Sequence, residues 1–165
     1  MKKMMPLVDV ISNYKLESSF YYHWPFCKNI CTYCNFNKYI ESESRFGKSY
    51  ENSMKNDLMK ETSTVLESSH VTKTKSIYFG GGTPSLASSA TIGSLIENVK
   101  HSTLTEGAEV TIECNPSSFN MLGKLEDYSK IGVNRISIGI QVPEKYEKSN
   151  HNLIINTKFG PEFER

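Results

Sequence analysis

Four short β-rich runs alternate with helical patterns along this chain, and that alternation limits the fold more than any other feature. Ser19-Phe20-Tyr21-Tyr22-His23-Trp24 is aromatic, short and stopped by Pro25, which predicts a strand. From Ser44 to Leu66 the apolar residues Tyr50, Met54, Leu58, Val65 and Leu66 fall near helical spacing. Ser76-Ile77-Tyr78-Phe79 is a second strand, ending at Gly80-Gly81-Gly82-Thr83-Pro84. Ile92, Leu95, Ile96 and Val99 then mark one helix face at i, i+3, i+4 and i+7. Glu109 to Cys114 is a third strand, Met121, Leu122, Leu125 and Tyr128 a short helix stopped near Gly132, and Arg135 to Ile140 a fourth strand. The resulting βαβαβαβ order implies parallel strands joined by helical crossovers. A closed eight-unit barrel needs about 250 residues, so these units make either a small open α/β sheet or the front of a barrel. Residues 142–165 are polar with weak periodicity and read as a loosely packed tail.

Composition supports a folded chain and removes several functions. A hydrophobic fraction of 38%, with 8 Phe and 9 Tyr, can fill a core. Nineteen basic against 18 acidic side chains exclude a strongly basic nucleic-acid binder. No apolar run is long enough for a transmembrane helix. Lys2 and Lys3 could begin a secretory signal, but Pro6 and Asp9 interrupt the apolar run. A mitochondrial presequence would be arginine-rich and acid-poor, whereas the first arginine is Arg45, after Asp9 and Glu17.

Cys27, Cys31 and Cys34 stand as C-x3-C-x2-C directly after the first strand. Thiolates so closely spaced on one loop can wrap a single soft metal centre, as in iron–sulfur ligation. Three ligands leave one iron of a four-iron cluster without a protein donor. A zinc knuckle would want a fourth Cys or His nearby, and only His23 is close. Disulfides fit badly, because three cysteines on eight residues pair poorly and nothing indicates secretion. Spacing favours a cluster over zinc, with incidental thiols as a third reading. Cys114 reads as a small buried strand residue.

The three glycines at 80–82 would let backbone come close to a ligand, although a turn could use them for structure alone. The loop lacks the Lys-Ser/Thr of a phosphate loop, which disfavours a nucleoside triphosphate. Cysteines after strand one, glycines after strand two, Glu113 ending strand three and Gln141 ending strand four all lie at carboxyl ends. In parallel α/β folds those ends form one ligand-binding face.

With these residues in view, the chain resembles the radical S-adenosylmethionine (SAM) superfamily. It is most similar to the branch holding oxygen-independent coproporphyrinogen dehydrogenases and HemW-type haem chaperones. The matching text is Tyr21-Tyr22-His23-Trp24-Pro25-Phe26-Cys27, Cys31-Thr32-Tyr33-Cys34-Asn35-Phe36-Asn37, Gly80 to Ser85, Thr111 to Pro116, and Gly132 to Gln141. The resemblance implies the N-terminal part of a partial (βα)6 barrel, with about four parallel strands and three helices over residues 19–141. Residues 1–18 would precede it as an N-terminal segment, and 142–165 would follow as a divergent tail. It further implies a 4Fe–4S cluster held by Cys27, Cys31 and Cys34, and SAM bound near Tyr21, Tyr33, Gly81, Gly82, Thr83, Glu113 and Gln141. The superfamily cleaves SAM reductively to methionine and a 5′-deoxyadenosyl radical.

Within that branch the dehydrogenases carry another cysteine two positions after the third cluster cysteine. Here that position is Phe36, as in the chaperones. The resemblance therefore points to a haem chaperone of porphyrin metabolism, with haem and a haem-receiving client protein as partners. Coproporphyrinogen III dehydrogenation is the alternative function, and a non-catalytic metal-binding fragment the second. The chaperones also carry H-N-x-x-Y-W, whereas His151-Asn152 here is followed by Leu153-Ile154-Ile155-Asn156, so no haem ligand is assigned. A mitochondrial location follows from the resemblance alone, with the cytoplasm as the alternative, and a homodimer is open to such a chain. Full-length relatives are more than twice as long, so a truncated form is expected, its fourth strand left with an open edge.

Overall fold

The structure, a computed structural model, describes residues 16–31, 34–41, 48–116, 121–141 and 152–158. Its strands and helices run β1 (Leu16–Trp24), β2 (Phe26–Cys27), β3 (Tyr39–Ile40), α1 (Lys48–Ser68), β4 (Val71–Gly81), α2 (Ser89–Lys100), β5 (Leu104–Cys114), α3 (Met121–Lys130), β6 (Arg135–Gln141) and β7 (Asn152–Lys158). A single 3₁₀ turn, Pro84–Leu86, joins β4 to α2. The sheet order is β1-β4-β5-β6-β7, and β2 and β3 form a separate two-stranded ladder. β1, β4, β5 and β6 are mutually parallel, each helix lying between consecutive strands as the alternation predicts. Leu16, Glu17 and Ser18, expected in an N-terminal segment, are part of β1.

Strand alternation separates two faces. On β1, Tyr22 and Trp24 are buried while Tyr21, just before them, is exposed, because successive side chains point to opposite sides. Tyr22 stacks on Phe79 with ring centroids 5.0 Å apart. Phe79, Ile77, Val110, Ile112 and Ile136 complete the sheet side of the core. The helices press against them with Ile92, Leu95, Ile96 and Val99, all buried on the face that their spacing predicts. The end of α3 is set by chain chemistry. Gly132 has φ +95, its N–H donates to Ser129 O, and Val133 N–H donates to Tyr128 O, which together satisfy the last carbonyls of the helix.

Two expectations change. The inner face of α1 uses Met54, Leu58 and Thr62, one turn apart, whereas Val65 is 47% exposed. Thr62 is buried because its hydroxyl donates to Leu58 O and accepts from Tyr22 Oη at 2.8 Å, so a polar side chain serves the interior. The tail is the second change. Seven of its residues, Asn152–Lys158, form β7, antiparallel to β6 from Arg135↔Lys158 to Gln141↔Asn152. The run Leu153-Ile154-Ile155 is rich in β-branched residues, a strand preference too short to register as periodicity. Its ladder occupies the β6 edge that the sequence reading leaves open. Residues 1–15, Tyr33, residues 142–151 including His151, and residues 159–165 lie outside the described residues.

Candidate functional site

The carboxyl ends of the parallel strands close around one cavity of about 410 Å³. Its walls include Cys27, Cys31, Cys34, Gly81, Gly82, Thr83 and Glu113, so three of the separated sequence motifs share a single space. Tyr21 does not line it. That ring stands 57% exposed on β1, stacked on Tyr78 at 5.7 Å. Gln141 ends β6, its backbone opposite Asn152.

Close backbone approach builds the cysteine side of the cavity. Gly82 N–H donates to Trp24 O at 2.7 Å, and Thr83 N–H donates to Phe26 O at 2.8 Å. A Cβ on Gly82 would lie 2.8 Å from Phe26 O and 2.9 Å from Trp24 O, so only glycine fits here. This contact brings the Thr83 hydroxyl to 3.5 Å from Cys27 Sγ. The far end of the cysteine loop is tied back by Tyr39 N–H to Pro25 O and Glu41 N–H to Cys27 O. His23 Nε2–H donates to Asn37 O at 2.9 Å, and the Lys38 ammonium donates to the carbonyls of Cys34 and Phe36. Tyr50, in the first turn of α1, packs edge-on against Phe26 at 4.9 Å.

All four cysteines are free thiols, which removes the disulfide reading for this conformation. Among the described residues no three His, Cys, Asp or Glu side chains are gathered closely enough to hold a single metal ion. The thiols instead surround a common space, with Cys27 buried and Cys31 and Cys34 half-buried. That donor set fits an iron–sulfur cluster, which soft thiolates favour and whose several irons span more room than one ion.

The opposite wall is acidic. Glu113 Oε2 accepts from Gly81 N–H at 3.1 Å and Oε1 accepts from Tyr78 Oη–H at 2.7 Å. Gly81 has φ +111, and a Cβ there would lie 2.6 Å from the His23 ring. Both donors to Glu113 are neutral, and among the described residues no basic side chain pairs with it. Arg135 is engaged by Glu109 at 3.0 Å. A carboxylate with no cation of its own on a cavity wall suits a positively charged ligand. Burial, followed by the bond to Glu113, pushes the Tyr78 phenol well above its ordinary range.

The glycine loop leaves through a braced helix start. Ser88 caps α2, accepting from Thr91 N–H at 3.2 Å. Glu51 of α1 accepts from Ser88 N–H at 2.9 Å, and from the Ser88 and Thr91 hydroxyls at 2.6 Å each. Burial works against the charged form of Glu51, but these bonds outweigh it and hold its carboxyl below the usual value.

Several cavity residues escaped the sequence reading. Ser137 lies opposite Glu113 in the β5–β6 register and shares its face, a signal that strand pairing alone could have supplied. Cys114 is buried as expected, yet it also reaches the cavity wall, where burial pushes its thiol up to about 12. Phe36 stands at the rim, 66% exposed.

Residues 21–162 match the radical SAM superfamily. The chain is 46% identical over 134 residues to the zebrafish (Danio rerio) protein "Radical S-adenosyl methionine domain-containing protein 1, mitochondrial", covering 81% of this chain and 29% of that one. It is 36% identical over 124 residues to "Heme chaperone HemW" of Escherichia coli (strain K12), covering 74% of this chain and 32% of the relative. Among solved structures it resembles coproporphyrinogen III oxidase (HemN) from Escherichia coli, described as a radical SAM enzyme. The TM-score is 0.68 at 25% identity, over 82% of this chain and 30% of that one. The chain thus spans under a third of the length of each of these relatives.

Proposed function

This chain belongs to the radical SAM superfamily, and from that premise we propose that it is a haem chaperone binding a 4Fe–4S cluster, SAM and haem. The observation that carries the reading is the shared cavity, where three free thiols face Gly81, Gly82, Thr83 and Glu113. Cys27, Cys31 and Cys34 would hold the cluster, whose chemistry when loaded is reductive activation of SAM. Cys27 is the fixed member, set in the β2–β3 ladder beside the Thr83 hydroxyl. Backbone groups of Gly81 and Gly82 would line SAM's amino-acid end, since no side chain stands between them and the ligand. Glu113, which no basic side chain pairs among the described residues, would accept from the ligand's ammonium or hydroxyl donors. Tyr21, Tyr33 and Gln141 are proposed as further SAM contacts on family resemblance.

The chaperone reading, with haem and a haem-receiving client as partners, is supported by the HemW relative and by Phe36. A phenylalanine at the rim supplies an apolar surface where the dehydrogenases place a further thiol. The names of the zebrafish and similar relatives support a mitochondrial location.

Anaerobic reconstitution with iron and sulfide, followed by titration with SAM and then haem, tests the proposal. Bound sulfide, SAM binding and a haem Soret shift are the expected results. Bound zinc without sulfide would overturn the cluster. Stoichiometric protoporphyrinogen formation from coproporphyrinogen III with SAM and reductant would replace the chaperone with the dehydrogenase.

A further inference from the structure

Among the described residues lining the cavity, Glu113 is the one carboxylate, and it holds its place through a residue that does not itself line the cavity. Tyr78 lies opposite Thr111 in the β4–β5 register, so its side chain shares a sheet face with Glu113, two residues further along β5. Its hydroxyl donates to Glu113 Oε1 at 2.7 Å. One hydroxyl thereby links β4 to β5. The ring is held as firmly as the hydroxyl, stacked on Tyr21 with planes 13° apart.

We infer that Tyr78 is a positioning residue of the ligand site: its hydroxyl fixes the rotamer of Glu113, so that the carboxylate meets a cationic, hydroxyl-bearing ligand in one orientation. The inference rests on the SAM-binding reading and extends it to a residue outside the cavity. A glutamate has three rotatable side-chain bonds, and immobilising them in advance removes an ordering cost from ligand binding. A carboxylate also has about four acceptor positions. Tyr78 Oη–H and Gly81 N–H occupy two, one on each oxygen, which leaves the others for the ligand. Phenylalanine at 78 would retain the stack on Tyr21 but leave Oε1 without its protein donor. Because burial and Glu113 both oppose ionisation of the phenol, the donor persists across the neutral pH range.

The test compares Tyr78→Phe with Tyr22→Phe in the 165-residue chain, reconstituted with its cluster, using calorimetric SAM titration and urea melts. Both substitutions delete a tyrosine hydroxyl bond of similar length, 2.7 Å to Glu113 and 2.8 Å to Thr62, but Tyr22 lies on the opposite, core-facing side. Tyr78→Phe should raise the SAM Kd about five- to tenfold, as expected when binding must itself order one rotamer-rich side chain. Tyr22→Phe should leave Kd within about twofold while lowering the melt midpoint at least as much. Equal Kd values for Tyr78→Phe and the wild type, or equal Kd changes in the two variants, would overturn the inference. Failure of the fully reconstituted wild type to bind SAM would overturn the functional reading itself, and this inference with it.

Discussion

Replacing Gly82 by alanine tests how the two halves of the site are joined. The added Cβ would sit 2.8 Å from Phe26 O, 2.8 Å from Pro25 C and 2.9 Å from Trp24 O, all of them backbone atoms. A side chain could rotate away from such a contact, but two crossing backbones must separate. Separation breaks the Gly82 N–H to Trp24 O bond and the adjoining Thr83 N–H to Phe26 O bond. Each lost bond costs about 1 kcal/mol, and forcing a methyl into a filled interior costs about 1–3 kcal/mol more. Gly82→Ala should therefore destabilise the chain by about 3–5 kcal/mol. Gly123→Ala is the control, because a Cβ there meets nothing within 4 Å and the residue lies inside α3. It should stabilise by about 0.5–1 kcal/mol. Urea melts followed by tryptophan fluorescence suit the experiment, since Trp24 is the one tryptophan of the chain and its carbonyl is at the contact. A Gly82→Ala midpoint indistinguishable from wild type would refute the close-approach argument.

Other outcomes follow from the same geometry. Glu51→Gln should cost about 1 kcal/mol at neutral pH, comparable to losing a helix cap. Since the folded carboxyl sits below its usual value, its stabilisation is present above the unfolded pKa and disappears as pH falls through the folded one. Urea melts between about pH 7 and pH 3 should thus converge for wild type and variant at the acid end, and a constant gap would contradict this account. Leu95→Ala, at a fully buried position of α2, should cost about 3–5 kcal/mol in the same melts, and a loss under about 1 kcal/mol would show that the helix does not seal the core.

How much of this could be read from the chain depended on whether a feature was local. The buried stripe of α2 is legible because Ile92, Leu95, Ile96 and Val99 repeat at the helical period and all face one sheet. The clustering of cysteines, glycines and Glu113 is legible too, since parallel strands place their carboxyl ends together whatever their exact lengths. The role of Thr62 was not, because a buried threonine is explained only by Tyr22, forty positions away. The bond between Tyr78 and Glu113 depends on the β4–β5 register, which hydrophobic patterning alone leaves open. β7 was missed for a different reason: its preference is that of a short β-branched run, and its position depends on an edge that only the assembled sheet provides.

Inorganic sulfide and iron per chain, measured after anaerobic reconstitution in wild type and in Cys31→Ala, test the central claim most directly. The account predicts about four of each in the wild type, as for a 4Fe–4S centre, and loss of most of both in the variant. Iron content unaffected by the substitution, or a wild-type chain that retains no sulfide, would contradict it.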